Sequence, residues 1–185
     1  MPSDLGLPGP AVFDTSAQSY FARYADQAAR DWLSAYSLEF RIHLCPLTVV
    51  ERMRGYWMLL RSMIPGKERA TEQAMVEYLR HLRNKCEVLS FDIECAVVSG
   101  ELMALLPTAP SPPRRGHRMA ESRQDRLSRW RFDIMIAATA LVHGLPLIHN
   151  NPQDFEPLRG LIERMPERFP GVGPLNLISV KRLAA

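Results

Sequence analysis

Four acids in this sequence stand where they could act together on a phosphate ester. Asp14 ends the short apolar run Ala11-Val12-Phe13, and Glu51 lies early in the helical pattern that follows Phe40–Leu44. Asp133 precedes the Ala-rich run Ile134–Val142, and Asn150, Asn151 and Asp154 follow Leu145–His149. Two carboxylates about 4 Å apart repel by roughly 4 kcal/mol at an effective dielectric of about 20. Several in one pocket therefore disperse or take up protons unless a cation sits among them. Ligands that are all oxygen favour Mg²⁺ or Mn²⁺ over zinc. A divalent ion so held polarises a phosphodiester and generates hydroxide near neutral pH. That is the chemistry of a metal-dependent nuclease.

Each residue also has a purely structural explanation. Asp14 suits the N-cap of a following helix. Thr48-Val49-Val50-Glu51 fits a capping box, with Glu51 reaching back to the Thr48 amide. Asp133, read as lying in the first turn of its helix, is favoured by the macrodipole alone. Asp154 can simply start a helix, and Asn150-Asn151 can be turn residues. Asp92 and Glu94 read as N-terminal helix charge rather than metal ligands. No one residue is specific; the joint arrangement carries the functional reading.

Sequence patterning supplies the elements that would bring these residues together. Strands are expected at Ala11–Phe13, Phe40–Leu44, Cys86–Leu89, Leu145–His149 and, as an edge strand, Leu175–Val180. Helices are expected over Ser16–Tyr36, Thr48–Met63 (ended by Pro65-Gly66), Thr71–Lys85, Asp92–Leu106, Trp130–His143 with Gly144 as C-cap, and Asp154–Met165. Strands alternating with helices imply an α/β sandwich with a mostly parallel central sheet. Ligands of such sheets bind outside the carboxyl ends of the strands. Topology places Asp14, Glu51 and Asn150–Asp154 at that edge, and Asp133 too if its helix opens on the same side.

The 185 residues carry a formal net charge of +3, with 46% hydrophobic and 23% charged residues. This suits one soluble domain with an unstapled core. Residues 1–10 read as a loose tail and 11–185 as a single domain. The longest apolar run, Ile134–Val142, interrupted by Thr139, is about half of the roughly 20 residues a membrane helix needs. No secretory signal is expected from the first residues. Cys45, Cys86 and Cys95 form no CxxC pair, which favours a reducing compartment, read here as the cytoplasm. No GxxxxGK[ST], GxGxxG, HExxH or GxSxG occurs, and the five histidines lack ligand spacing.

Charge is uneven. A basic insertion rich in Pro and Arg occupies about 107–129. The stretch 107–131 holds seven arginines and two acids, a local charge of +5. It is either a solvated loop or an element that attracts a phosphate backbone. Arg129 and Arg131, nearest Asp133 in sequence, are the candidate phosphate contacts.

Four segments together resemble the PIN-domain nucleases, most closely the VapC-type toxins of bacterial toxin–antitoxin pairs. They are FDTS (13–16), PLTVVERMRGY (46–56), VLSFDIECAVVSGELMALL (88–106) and, most specific, FDIMIAATALVHGLPLIHNNPQDF (132–155). The resemblance covers most of 11–160. It implies a three-layer α/β/α fold, Mg²⁺ or Mn²⁺ at an acidic site, and endoribonuclease activity. Asp14, Glu51 and Asp133 match the three core acids, and Thr15 or Ser16 would support them with a hydroxyl. Where many members carry a fourth acid just after the fourth strand, Asn150 and Asn151 stand here and Asp154 follows. Catalysis and metal binding are therefore expected of Asp14, Glu51, Asp133 and Asp154. Substrate contacts are expected of Ser16, Arg129, Arg131, Asn150 and Asn151. The resemblance also implies a homodimer and a cognate antitoxin. Two alternatives are a PIN-fold module that binds RNA or protein without cutting it, and a phosphatase using Asp14 as nucleophile. The phosphatase would need a second Asp where Ser16 stands.

Overall fold

The computed structural model describes residues 7–62, 66–113 and 121–183. Five short strands form one parallel sheet: β1 (Val12–Phe13), β2 (Ile42–Leu44), β3 (Cys86–Val88), β4 (Leu147–His149) and β5 (Leu177–Ser179), in the order β3-β2-β1-β4-β5. The connections are helical. α1 (Thr15–Arg23) and α2 (Gln27–Glu39) link β1 to β2, and α3 (Pro46–Arg61) and α4 (Glu68–Lys85) link β2 to β3. α5 (Ile93–Leu105) and α6 (Arg123–Val142) precede β4, α7 (Pro152–Arg164) follows it, and α8 (Val180–Leu183) follows β5. The order reverses at β1, whose neighbours are β2 and β4. That opens a crevice beyond their carboxyl ends, where parallel sheets bind ligands.

Side-chain alternation along the strands builds the two faces. Val12 and Leu147 point into a core with Leu102, Trp130, Ile134, Ile136 and Phe155 from α5, α6 and α7. Phe13 and Ile148, one residue on, point the other way, among Ala17, Trp32 and Tyr36 of α1 and α2. The result is the expected three-layer α/β/α sandwich. Trp130 fixes the α5–α6 contact: it is buried and its indole donates to the Leu106 carbonyl at 2.9 Å. Trp130→Ala is expected to cost about 3–5 kcal/mol, the usual range for emptying a buried aromatic site. Urea denaturation measures it.

The five strands lie where the patterning put them, and β5 is at the edge. Three helical readings are corrected. The single helix expected over Ser16–Tyr36 is two: Asp26 caps α2 by accepting from the Ala29 amide at 2.9 Å, which breaks the run after Tyr24. α3 opens with Pro46 at its first position behind Cys45, so Thr48 is inside the helix and its amide bonds the Cys45 carbonyl. The expected capping box at Thr48–Glu51 does not form. α6 begins at Arg123, seven residues before the expected Trp130. Ser122 accepts from the Asp125 amide at 3.0 Å and donates to its carboxylate at 2.7 Å, a cap hidden within the basic run. The second part of the expected 107–129 insertion is therefore helix. Its Arg114, Arg115 and Arg118, like the tail before residue 7 and Pro65, lie outside the described residues. Gly144, at φ +64°, follows the last turn of α6 in the left-handed conformation that glycine favours.

Candidate active site

Asp14 leaves β1 at the crevice and caps α1. Its Oδ1 accepts from the Ala17 amide and its Oδ2 from the Ser16 hydroxyl, each at 2.6 Å. Ser16 Oγ in turn accepts from the Asn150 amide at 2.8 Å. One serine thus ties the carboxyl end of β1 to that of β4. The N-cap reading of Asp14 and its functional reading hold together, because the residue that caps α1 also lines the crevice. Glu51 lies in the second turn of α3 and accepts a short hydrogen bond from the Thr15 hydroxyl.

Asp133 arrives from the opposite layer. Its helix runs back along β4 before the chain turns into that strand. Nine residues separate Asp133 from Val142, the last residue of α6. At about 1.5 Å per residue this is roughly 14 Å, against roughly 10 Å for a three-residue strand. The helix therefore carries Asp133 past the carboxyl end of the sheet. Asp133 is the eleventh residue of α6, not in its first turn, so the helix macrodipole does not explain an acid there.

Asp14, Glu51 and Asp133 line one hollow of about 400 Å³, with Thr15, Ser16, Arg129, Asn150 and Asn151 also on its wall. Asp14 and Asp133 are 2% and 8% exposed, and among the described residues Asp133 Oδ2 is buried without a hydrogen-bond partner. Burial pushes the Asp14 carboxyl up to about 7; hydrogen bonds from Ser16 and Ala17 oppose the rise and Glu51 adds to it. Burial holds Asp133 well above the usual carboxylate range as well, and the charges of Asp154, Asp14 and Glu51 raise it further while Arg129 lowers it. Acids far apart in the chain therefore feel one another across this hollow. The donors are all oxygen, one is orphaned, and protonation is the alternative to a cation. That set fits Mg²⁺ or Mn²⁺. Among the described residues, oxygens of these three carboxylates do not all lie within 4.8 Å of one another, so they line the hollow without converging on a single point.

Asp154 stands behind the wall. It is wholly buried, and its Oδ2 accepts from Arg129 at 3.0 Å and from the Asn151 amide group. Its other oxygen, Oδ1, is buried without a hydrogen-bond partner among the described residues. Arg131, expected to share phosphate contacts with Arg129, projects elsewhere and lines a separate hollow with Met103, Leu106 and Trp130. On an α-helix two residues apart point in different directions.

Ser19, Tyr20, Arg23 and Tyr24 also line the hollow and were not anticipated. Ser16, Ser19, Tyr20 and Arg23 share helical spacing, so the face of α1 that carries Ser16 held the signal. His149, just below the site, is buried; this pushes its ring down to about 4, with Nδ1 accepting from the Asn151 amide at 3.2 Å.

A separate group, Asp92, Cys95 and His143, brings three donor atoms within 4.8 Å of one another at the start of α5. Asp92 there caps the helix, accepting from the Cys95 amide at 3.0 Å, and Glu94 lies in its first turn. Among the described residues no helix is long and apolar enough to cross a membrane.

No curated protein matches the chain in sequence. Its fold is similar to solved VapBC structures. VapBC2 from Rickettsia felis, bound to a DNA fragment from its promoter, aligns at 15% identity with a TM-score of 0.56, over 91% of this chain and 97% of that one. VapBC-1 from nontypeable Haemophilus influenzae gives 16% and 0.56, over 92% and 98%. DNA-bound VapBC from Salmonella typhimurium gives 19% and 0.52, over 92% and 98%. The model of the PIN domain family matches residues 11–160, which takes in β1 through β4 and all four acids. The chain belongs to the PIN domain family.

Proposed function

We propose that this protein is a Mg²⁺- or Mn²⁺-dependent endoribonuclease acting in the cytoplasm as the toxin of a toxin–antitoxin pair. The observation that carries the reading is the shared hollow of Asp14, Glu51 and Asp133 at the reversal of strand order, with one buried carboxylate oxygen left unpartnered. Asp14, Glu51 and Asp133 would hold the ion, which supplies Lewis-acid polarisation of a phosphodiester and activation of water. Ser16 and Thr15 fix the carboxylates of Asp14 and Glu51, so both are oriented before substrate arrives. Asn150 and Asn151, on the rim, offer amide groups to an RNA backbone, and Arg129 faces the same hollow. Asp154 stands behind the wall, and Arg131 lines a separate hollow on another side of α6.

An antitoxin partner is supported by the likeness to VapBC structures and by an apolar hollow of about 470 Å³, lined in part by Phe21, Leu33, Tyr56 and Tyr78. A homodimer is part of the same reading. Incubating a structured RNA with Mn²⁺ tests the nuclease. Wild type is expected to cut it, leaving 5′-phosphate and 3′-hydroxyl ends, and Asp14→Asn to cut at least about a hundredfold more slowly, as when an oriented electrostatic group is lost. Equal cleavage by both, or RNA bound without cleavage by wild type, rejects the reading in favour of another site or a binding module.

A further inference from the structure

Arg129 is held more completely than a substrate-seeking arginine needs to be. Its Nε and Nη2 pair with the two oxygens of Glu121, each at 3.1 Å, a two-pronged match of guanidinium to carboxylate. Its Nη1 donates to Asp154 Oδ2 at 3.0 Å and to Ser111 Oγ at 3.1 Å. Its side chain is 11% exposed. Ser111 and Glu121 both belong to the basic insertion, so two of its parts, ten residues apart, meet at this one guanidinium. Four residues further along the same helix, one turn on, lies Asp133. The guanidinium thus sits between a wholly buried acid, Asp154, and the hollow that Asp133 faces. A buried carboxylate is stable only when paired, and here the pairing cation is built into the chain.

We infer that Arg129 is a resident counter-cation: it takes the place that a second metal ion would occupy beside Asp154 and limits the pocket to one divalent cation, held by Asp14, Glu51 and Asp133. Arg129 is a positioning residue in this account, and Asp154 serves the guanidinium rather than the metal. The inference rests on the nuclease reading for the identity of the cation and goes beyond it in fixing the stoichiometry and the part each acid plays.

Mn²⁺ binding to the purified chain, followed by the electron paramagnetic resonance of free Mn²⁺, tests this without any substrate. Wild type is expected to bind one Mn²⁺ per chain. Asp154→Asn, which keeps an oxygen for Arg129, is expected to bind one Mn²⁺ within about threefold of wild-type affinity, whereas Asp133→Asn loses at least about thirtyfold, within the span for disturbing a metal shell. Arg129→Gln frees Asp154 and is expected to bind two. Arg129→Gln combined with Asp154→Asn returns to one, and Arg129→Lys stays at one. Two ions in wild type, or an affinity loss in Asp154→Asn as large as in Asp133→Asn, overturns the inference and leaves the nuclease reading intact. The Asp154→Asn comparison decides the matter if circular dichroism shows Arg129→Gln to be unfolded. Absence of any Asp133-dependent Mn²⁺ binding in wild type overturns the nuclease reading itself, and this inference with it.

Discussion

Asp133→Asn is expected to abolish metal-dependent RNA cleavage and at the same time to stabilise the metal-free protein. The loss is put at about three orders of magnitude in rate, equivalent to about 4 kcal/mol of transition-state stabilisation. It follows from position: among the described residues Asp133 alone brings a carboxylate to the hollow from the α6 layer, and its buried Oδ2 has no hydrogen-bond partner among them. The gain in stability has the same origin. The Asp133 carboxyl is buried and crowded by Asp154, Asp14 and Glu51, so its ionised form opposes folding. Asparagine matches its shape and carries no charge. Thermal melts at pH 8 without metal are expected to rise by about 2–4 °C, which corresponds to about 1 kcal/mol for a chain of this size. A variant that is inactive and less stable would point to a structural acid. One that is active would remove Asp133 from the site.

The metal-free protein is further expected to lose stability as pH rises toward about 7, most steeply above 6.5, and Mn²⁺ to reverse the loss. Asp14 and Asp133 keep in the fold the protons that an unfolded chain releases above about 3.8, Asp14 up to about 7 and Asp133 beyond the usual carboxylate range. Their contribution is complete below pH 3.8 and disappears as pH climbs through the folded values. His149 works in the opposite sense. The fold keeps it neutral down to about 4 while the unfolded ring takes a proton below 6.5, so its contribution is lost as pH falls from 6.5 to 4. Between those limits His149 offsets one aspartate; above 6.5 nothing opposes them. Each proton difference is worth about 1.4 kcal/mol per pH unit. Melting curves from pH 5 to about 7 are expected to slope downward without metal, to flatten with millimolar Mn²⁺, and to flatten in part in Asp133→Asn. A metal-free protein whose stability rises across this range would contradict the burial and crowding of the two acids.

Much of this arrangement is legible in the sequence because it follows from strand positions. Asp14, Glu51 and Asn150–Asp154 each lie just past a short apolar run, and a parallel sheet gathers such positions at one edge. The depth of Asp133 is not legible, since its helix starts at a Ser122–Asp125 cap concealed among arginines. That cap also decides where Arg129 and Arg131 point, which is why two neighbours in sequence take different roles. Glu51 illustrates the opposite case: a local capping motif was present in the letters, yet Pro46 set the helix start two residues earlier, and Glu51 accepts from Thr15 instead. The pairing of Arg129 with Glu121 and Ser111 depends on how the insertion returns to the fold, and no local pattern encodes it.

Crystals grown with Mn²⁺ and measured at the manganese absorption edge test the central claim most directly. The account predicts one anomalous peak in the hollow, about 2.2 Å from an oxygen of each of Asp14, Glu51 and Asp133, as expected for a hard divalent ion with oxygen ligands. An empty hollow, or a peak confined to Asp92, Cys95 and His143, would contradict it.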